Sequence, residues 1–63
     1  MKQEVRIQFE GREVLGWWER EPPRGIVVSS GFRRKATQIG DSDPETVARR
    51  LLRELAQEAN DKP

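Results

Sequence analysis

The chain has no cysteine, no histidine and no tyrosine, and these absences exclude several kinds of chemistry. Without cysteine it can form no disulfide, and it carries no thiolate nucleophile or thiolate zinc site. Without histidine it lacks the commonest general base and the commonest metal ligand. Because the absence of disulfides fits a reducing compartment, we expect a cytoplasmic protein.

Long hydrophobic segments are also missing. No apolar run approaches the roughly 20 residues of a membrane span, and residues 1–10 lack the pattern of a signal peptide, so we expect no membrane association. The 63 residues, 33% hydrophobic and 37% charged, suffice for one small soluble domain. A chain of this length buries only about 60% of its unfolded surface, so we expect marginal stability.

Residues 44–59 have the periodicity of an amphipathic helix. Asp43 is a good N-cap, because its carboxylate accepts hydrogen bonds from free backbone N–H groups of the first turn. Pro44 suits the first helical position, and Glu45 complements the positive end of the helix dipole. Residues 60–63 end the pattern and are expected to fray. Seven apolar residues share one half of the helical wheel: Val47, Ala48, Leu51, Leu52, Leu55, Ala56 and Ala59.

The first 39 residues have the pattern of short antiparallel strands separated by turns. Val5, Ile7 and Phe9 alternate with polar residues, as in a strand with one buried face. Glu10-Gly11 predicts a tight turn, since Gly11 can adopt positive φ. Further turns are predicted at Pro22-Pro23 and at Ser29-Ser30-Gly31. The strands are expected at residues 4–9, 12–20, 26–28 and 32–39.

These elements predict an α+β fold, a three- to four-stranded antiparallel meander with one C-terminal helix packed on one face. The order is β-β-β-β-α, within a single domain of residues 1–63. The core is expected to contain one tryptophan together with Val5, Ile7, Phe9, Val14, Ile26, Val28, Leu51, Leu52 and Leu55.

Trp17 and Trp18 cannot both enter this core, because adjacent strand residues point to opposite faces of a sheet. A two-residue loop at Glu10-Gly11 places Val14 and Trp18 beside the first strand's apolar residues. A loop with a glycine bulge would place Leu15 and Trp17 there instead. We favour the two-residue loop, which leaves Leu15 and Trp17 facing outward.

Catalysis is not predicted. Ser29 and Ser30 have no histidine to activate them, and no glycine-rich phosphate-binding loop is present. We therefore expect neither an enzyme nor a bound cofactor. The segment from Asp41 partly matches a calcium loop, but the sixth position is Thr46 instead of glycine and the twelfth is Leu52 instead of glutamate. No metal site is expected.

The charge distribution favours DNA or RNA as the partner. Residues 1–39 carry a net charge of +3, from eight Lys and Arg against five Glu, whereas residues 40–63 carry −2, from four against six. Arg33, Arg34 and Lys35 are predicted to contact phosphates with help from Arg24, and Trp17 to stack on a base or wedge between bases.

The element order, the aromatic second strand and the basic hairpin before the helix resemble the N-terminal DNA-binding modules of phage-type integrases. They also resemble the last part of double-stranded-RNA-binding domains, although the first helix of those domains has no counterpart here. No diagnostic motif matches residue by residue, so the resemblance assigns the chain to no family. It adds to the nucleic-acid hypothesis only at the level of architecture.

The alternative is a protein-interaction or homodimerisation domain. In it Leu15, Trp17 and Val27 form an apolar patch on the open side of the sheet, and Trp is enriched in interface hot spots. Burial between two copies would add to a small core. The charged side of the helix is predicted to form i, i+4 pairs, Glu45 with Arg49 and Arg50 with Glu54.

Overall fold

The structure, a computed structural model, describes residues 2–61, and the side chains as far as residue 60. It confirms the predicted α+β fold, with the larger of the two predicted strand numbers, since four strands join in a single antiparallel sheet of order β1-β2-β3-β4. One helix, α1, packs on one face of this sheet. The elements are β1 (Gln3–Phe9), β2 (Arg12–Glu21), β3 (Gly25–Ser30), β4 (Arg33–Gln38) and α1 (Pro44–Asp61).

The turn between β1 and β2 determines which side chains face the helix. Glu10 and Gly11 both have positive φ, 51° and 80°, which is the pattern of a type I′ two-residue turn. In the resulting register Val5 lies opposite Gly16. The favoured loop is therefore the one observed, and Trp18 is 8% exposed on the helix side whereas Trp17 is 43% exposed on the other.

The turn between β3 and β4 differs from its predicted position. Ser29 and Ser30 belong to β3, and the turn consists of Gly31 and Phe32. Phe32 was expected in the last strand, but it is fully exposed at the tip of the hairpin. Gly31 adopts a φ of 63°, which glycine tolerates without steric cost, so the chain reverses one residue later than its serine pair suggests.

Helix α1 begins as predicted and ends later. The Thr46 backbone N–H and the Thr46 hydroxyl both donate to the Asp43 carboxylate, at 3.1 and 2.9 Å, so Asp43 is the N-cap. The helix continues to Asp61, two residues beyond its predicted end, so residues 60 and 61 are helical where fraying was expected. The Asn60 amide donates to the Glu10 carboxylate at 3.3 Å. Lys62 and Pro63, also expected to fray, lie outside the described residues.

The core lies between the sheet and α1. Ile26, Val28 and Leu52 are the largest fully buried side chains, and Ile7 and Val14 are only partly buried. Three residues outside the predicted core also contribute, of which one follows β4 and two belong to the first turns of α1. The buried core residues are Val5, Trp18, Ile26, Val28, Ile39, Val47, Ala48, Leu51, Leu52 and Leu55, with Phe9 buried at the end of β1.

Gly16 allows α1 to approach the sheet closely. A Cβ atom at this position would lie 2.8 Å from Leu52 Cδ1 and 2.9 Å from the backbone oxygen of Ser29. Both distances are shorter than van der Waals contact, and the second involves backbone that cannot rotate away. A glycine is therefore required in the middle of β2, where it would otherwise weaken the strand.

We expect Gly16→Ala to destabilise the domain by about 1–3 kcal/mol, because the added methyl overpacks the contact with Leu52. Urea denaturation followed by circular dichroism measures the effect. Gln38→Ala, an exposed substitution in the same sheet, is the matched control and should change the free energy of unfolding by less than about 0.5 kcal/mol. If Gly16→Ala had the same free energy of unfolding as the wild type, the close approach of α1 to β2 at Gly16 would be contradicted.

The two tryptophans should differ sharply when truncated. Trp18→Ala removes a buried ring and should cost about 3–5 kcal/mol, enough to unfold most of a domain this small. Trp17→Ala should change the free energy of unfolding by less than about 1 kcal/mol, since much of the ring is already in water. Thermal denaturation of both variants provides the comparison, and a larger loss for Trp17→Ala would overturn the observed register.

Candidate interaction surface

The side of the sheet opposite α1 is here called the open face, because no element of residues 2–61 covers it. Side chains alternate along each strand, so every second residue points to this side. The open face consists of Glu4, Arg6, Gln8, Glu13, Leu15, Trp17, Glu19, Glu21, Val27, Ser29, Arg34, Ala36 and Gln38.

An apolar band crosses the middle of the open face. Leu15 and Trp17 lie two residues apart on β2 and are 44% and 43% exposed. Val27 on β3 is the diagonal neighbour of Trp17 across the strand pair, within reach of its ring, and Ala36 on β4 lies opposite Val27. The three residues proposed from the sequence as a protein interface therefore share one surface.

A shallow depression of about 220 Å³ lies beside Trp17. Its walls combine the apolar Val27 with the polar Ser29 and with Arg34 from the edge strand. Lys2 and Glu19 also line it. The partly exposed indole of Trp17 thus borders a depression that a partner's side chain can enter.

The charged groups of the open face are mixed in sign. Its strand residues include four glutamates and two arginines, so the face is more acidic than basic. Arg6 lies between two of the glutamates, 3.2 Å from Glu4 and 3.7 Å from Glu13. Arg34 contacts no carboxylate among the described residues, and it lies at the β4 edge of the face.

The residues predicted to bind nucleic acid do not meet on one surface. Arg34 and Trp17 lie on the open face, whereas Arg33 and Lys35 alternate onto the helix side of β4. Arg24 lies in the turn between β2 and β3. This turn is at the opposite end of β3 from the Gly31-Phe32 turn, which Arg33 follows. The basic triplet is contiguous in sequence but divided by the pleat of the strand.

Lys35 is engaged by the helix. Its ammonium group forms ion pairs with Glu58 and with Glu54, the latter at 3.5 Å. The hydrogen bond to Glu58 is the main cause that raises the pKa of Lys35 above its ordinary value of 10.5. Lys35 therefore joins β4 to α1 and is already neutralised by two carboxylates.

Of the two ion pairs predicted on the helix surface, one is observed. Glu45 and Arg49 form the expected i, i+4 pair. Glu54 was expected to contact Arg50, but among the described residues it contacts Lys35. The reason is tertiary, because β4 brings a lysine to the side of α1 on which Glu54 lies.

One feature near the hairpin tips was missed from the sequence. A groove of about 640 Å³ lies between the tips of the two outer hairpins and the end of α1. Arg12, Arg33 and the fully exposed Phe32 line this groove. The only available signal was the Gly31-Phe32 pair, which forms the turn in the structure, whereas the sequence placed Gly31 in a turn and Phe32 in the last strand. The groove also includes Phe9, Val14, Leu55, Ala56 and Ala59.

Residues 2–61 contain neither a candidate metal site nor a candidate membrane-spanning helix. Within them no group of three or more acidic side chains is placed to hold a metal ion. The single helix there is too polar to cross a membrane. Comparison of the chain with protein-family models, with curated proteins and with solved structures finds no match in any of the three.

The ion pairs of Lys35 should make stability pH-dependent. Because the folded-state pKa is raised, their contribution is complete below the unfolded-state pKa and is lost as the pH rises through the folded-state value. The Tm difference between the wild type and Lys35→Gln should therefore be positive near about pH 8 and shrink as the pH rises beyond the ordinary lysine value of 10.5.

Thermal melts across this pH range measure the difference, which will be small because exposed ion pairs contribute little. Arg53→Gln is the control, since the Arg53 guanidinium contacts no carboxylate in the described part of the chain. A Tm difference for Lys35→Gln that is constant with pH would contradict the assignment.

Proposed function

We propose that this chain is a non-enzymatic protein-binding domain that buries its open face against another protein chain. The observation that carries the proposal is the position of Leu15 and Trp17, both more than two-fifths exposed at the centre of an uncovered sheet face. Trp and Arg dominate the energetics of protein interfaces, and Trp17 here has Arg34 in the same cross-strand row.

The charges of the open face favour protein over nucleic acid. A phosphate backbone approaching Trp17 would meet the four glutamates of the open face against its two arginines and the neighbouring Lys2. Affinity for nucleic acid depends on neutralising several phosphates with Lys and Arg. Since Lys35 is held by Glu54 and Glu58, the basic triplet offers fewer free cations than its sequence suggests.

Photocrosslinking tests the proposal. The photoreactive amino acid p-benzoylphenylalanine is introduced at Ala36, at the exposed end of the apolar band, in cells that express the full chain. We expect a covalent protein adduct that survives nuclease treatment and weakens when Trp17→Ser is added. The matched control carries the same amino acid at Arg53, on the exposed side of α1, and should form no adduct.

A second experiment tests for nucleic-acid binding. An NMR amide-shift titration with a short DNA duplex and a short single strand, each at low and physiological salt, should leave Trp17, Arg24 and residues 33–35 unshifted. Shifts at those residues that weaken with salt, together with an adduct destroyed by nuclease, would replace this proposal with nucleic-acid binding.

A further inference from the structure

One cross-strand row of the open face is charged at both ends. Glu4 on β1 lies opposite Trp17 on β2, Trp17 lies opposite Ser29 on β3, and Ser29 lies opposite Arg34 on β4. The row therefore begins with an acid at one edge of the sheet and ends with a base at the other edge. The indole of Trp17 stands between them.

This pattern is complementary to itself. We infer, resting on the proposed function, that the protein on the open face is a second copy of this chain, related by a twofold axis parallel to the strands and midway between β2 and β3. Such an axis places β1 of one copy over β4 of the other. Arg34 then faces Glu4 of the second copy at both edges, and Trp17 faces Ser29 of the second copy.

Two further glutamates of the open face are not placed against another acid in this arrangement. Because β2 lies over β3 of the second copy, Glu19 faces Val27 and Glu21 faces Gly25, so neither opposes a carboxylate. A twofold axis across the strands at the Trp17 row would instead set Glu4 against Glu4 and Arg34 against Arg34. Like charges opposed at an interface are costly, so the axis along the strands is preferred.

The area of the open face limits how much surface a dimer can bury. Four strands about 4.8 Å apart and six residues rising about 3.4 Å each give roughly 400 Å² per copy. The pair therefore buries on the order of 800 Å², which is below the roughly 1,200 Å² of stable interfaces and in the range of weak, transient ones. We expect a dimer that dissociates on dilution, with a marginal monomer stabilised by mass action at high concentration.

Charge reversal with sedimentation equilibrium tests the geometry. Arg34→Glu alone opposes two acids at each edge and Glu4→Arg alone opposes two bases, so each variant should dimerise about tenfold or more weakly than the wild type. An equimolar mixture of the two variants restores both complementary pairs and should form a heterodimer. Arg50→Glu, on the exposed side of α1, is the matched control and should dimerise like the wild type.

The outcomes separate this inference from the proposed function. A dimer unaffected by either reversal, or a mixture that does not reassociate, would overturn the twofold arrangement. A wild-type chain that stays monomeric at millimolar concentration while Ala36 crosslinks to a different protein would overturn self-association and leave the protein-binding function standing. A monomer without any adduct at Ala36 would overturn both. Circular dichroism of each variant confirms that these exposed substitutions leave the fold intact.

Discussion

The contact between Gly16 and Leu52 sets the distance between the helix and the sheet. A Cβ on Gly16 would overlap both the Leu52 side chain and the backbone of Ser29, so any other residue there would force α1 outward. The two-residue turn at Glu10 and Gly11 places this glycine on the helix side of the sheet. A register slip of one residue would put Leu15 or Trp17 under Leu52 and expose Trp18.

The same register determines the surface. Every second residue of β2 points to the open face, and these residues include Leu15 and Trp17, two of the three exposed large apolar side chains in the described part of the chain. A single helix can cover only one side of a four-stranded sheet. The domain therefore has a buried side that provides its stability and an exposed side whose apolar band remains available for contact.

The alternation of side chains along β4 divides its basic residues between the two faces of the sheet. Arg33, Arg34 and Lys35 look like one basic cluster in sequence, yet the pleat sends the middle residue to the open face and its neighbours to the helix side. Lys35 then stabilises the contact between β4 and α1 through Glu54 and Glu58. On the open face, the row through Trp17 therefore has an acid at one edge and a base at the other, and the face as a whole carries more glutamates than arginines, which suits a protein of matching charge better than a polyanion.

Local patterns determined the element order, the helix with its Asp43 cap and most of the core, because periodicity and capping depend on residues close in sequence. The exposed position of Phe32 and the partner of Glu54 were wrong from the sequence, since they depend on where a hairpin reverses and on which strand lies beside the helix. The row from Glu4 to Arg34 joins residues 30 positions apart. Only strand pairing brings such residues together, and only the tertiary structure could decide it.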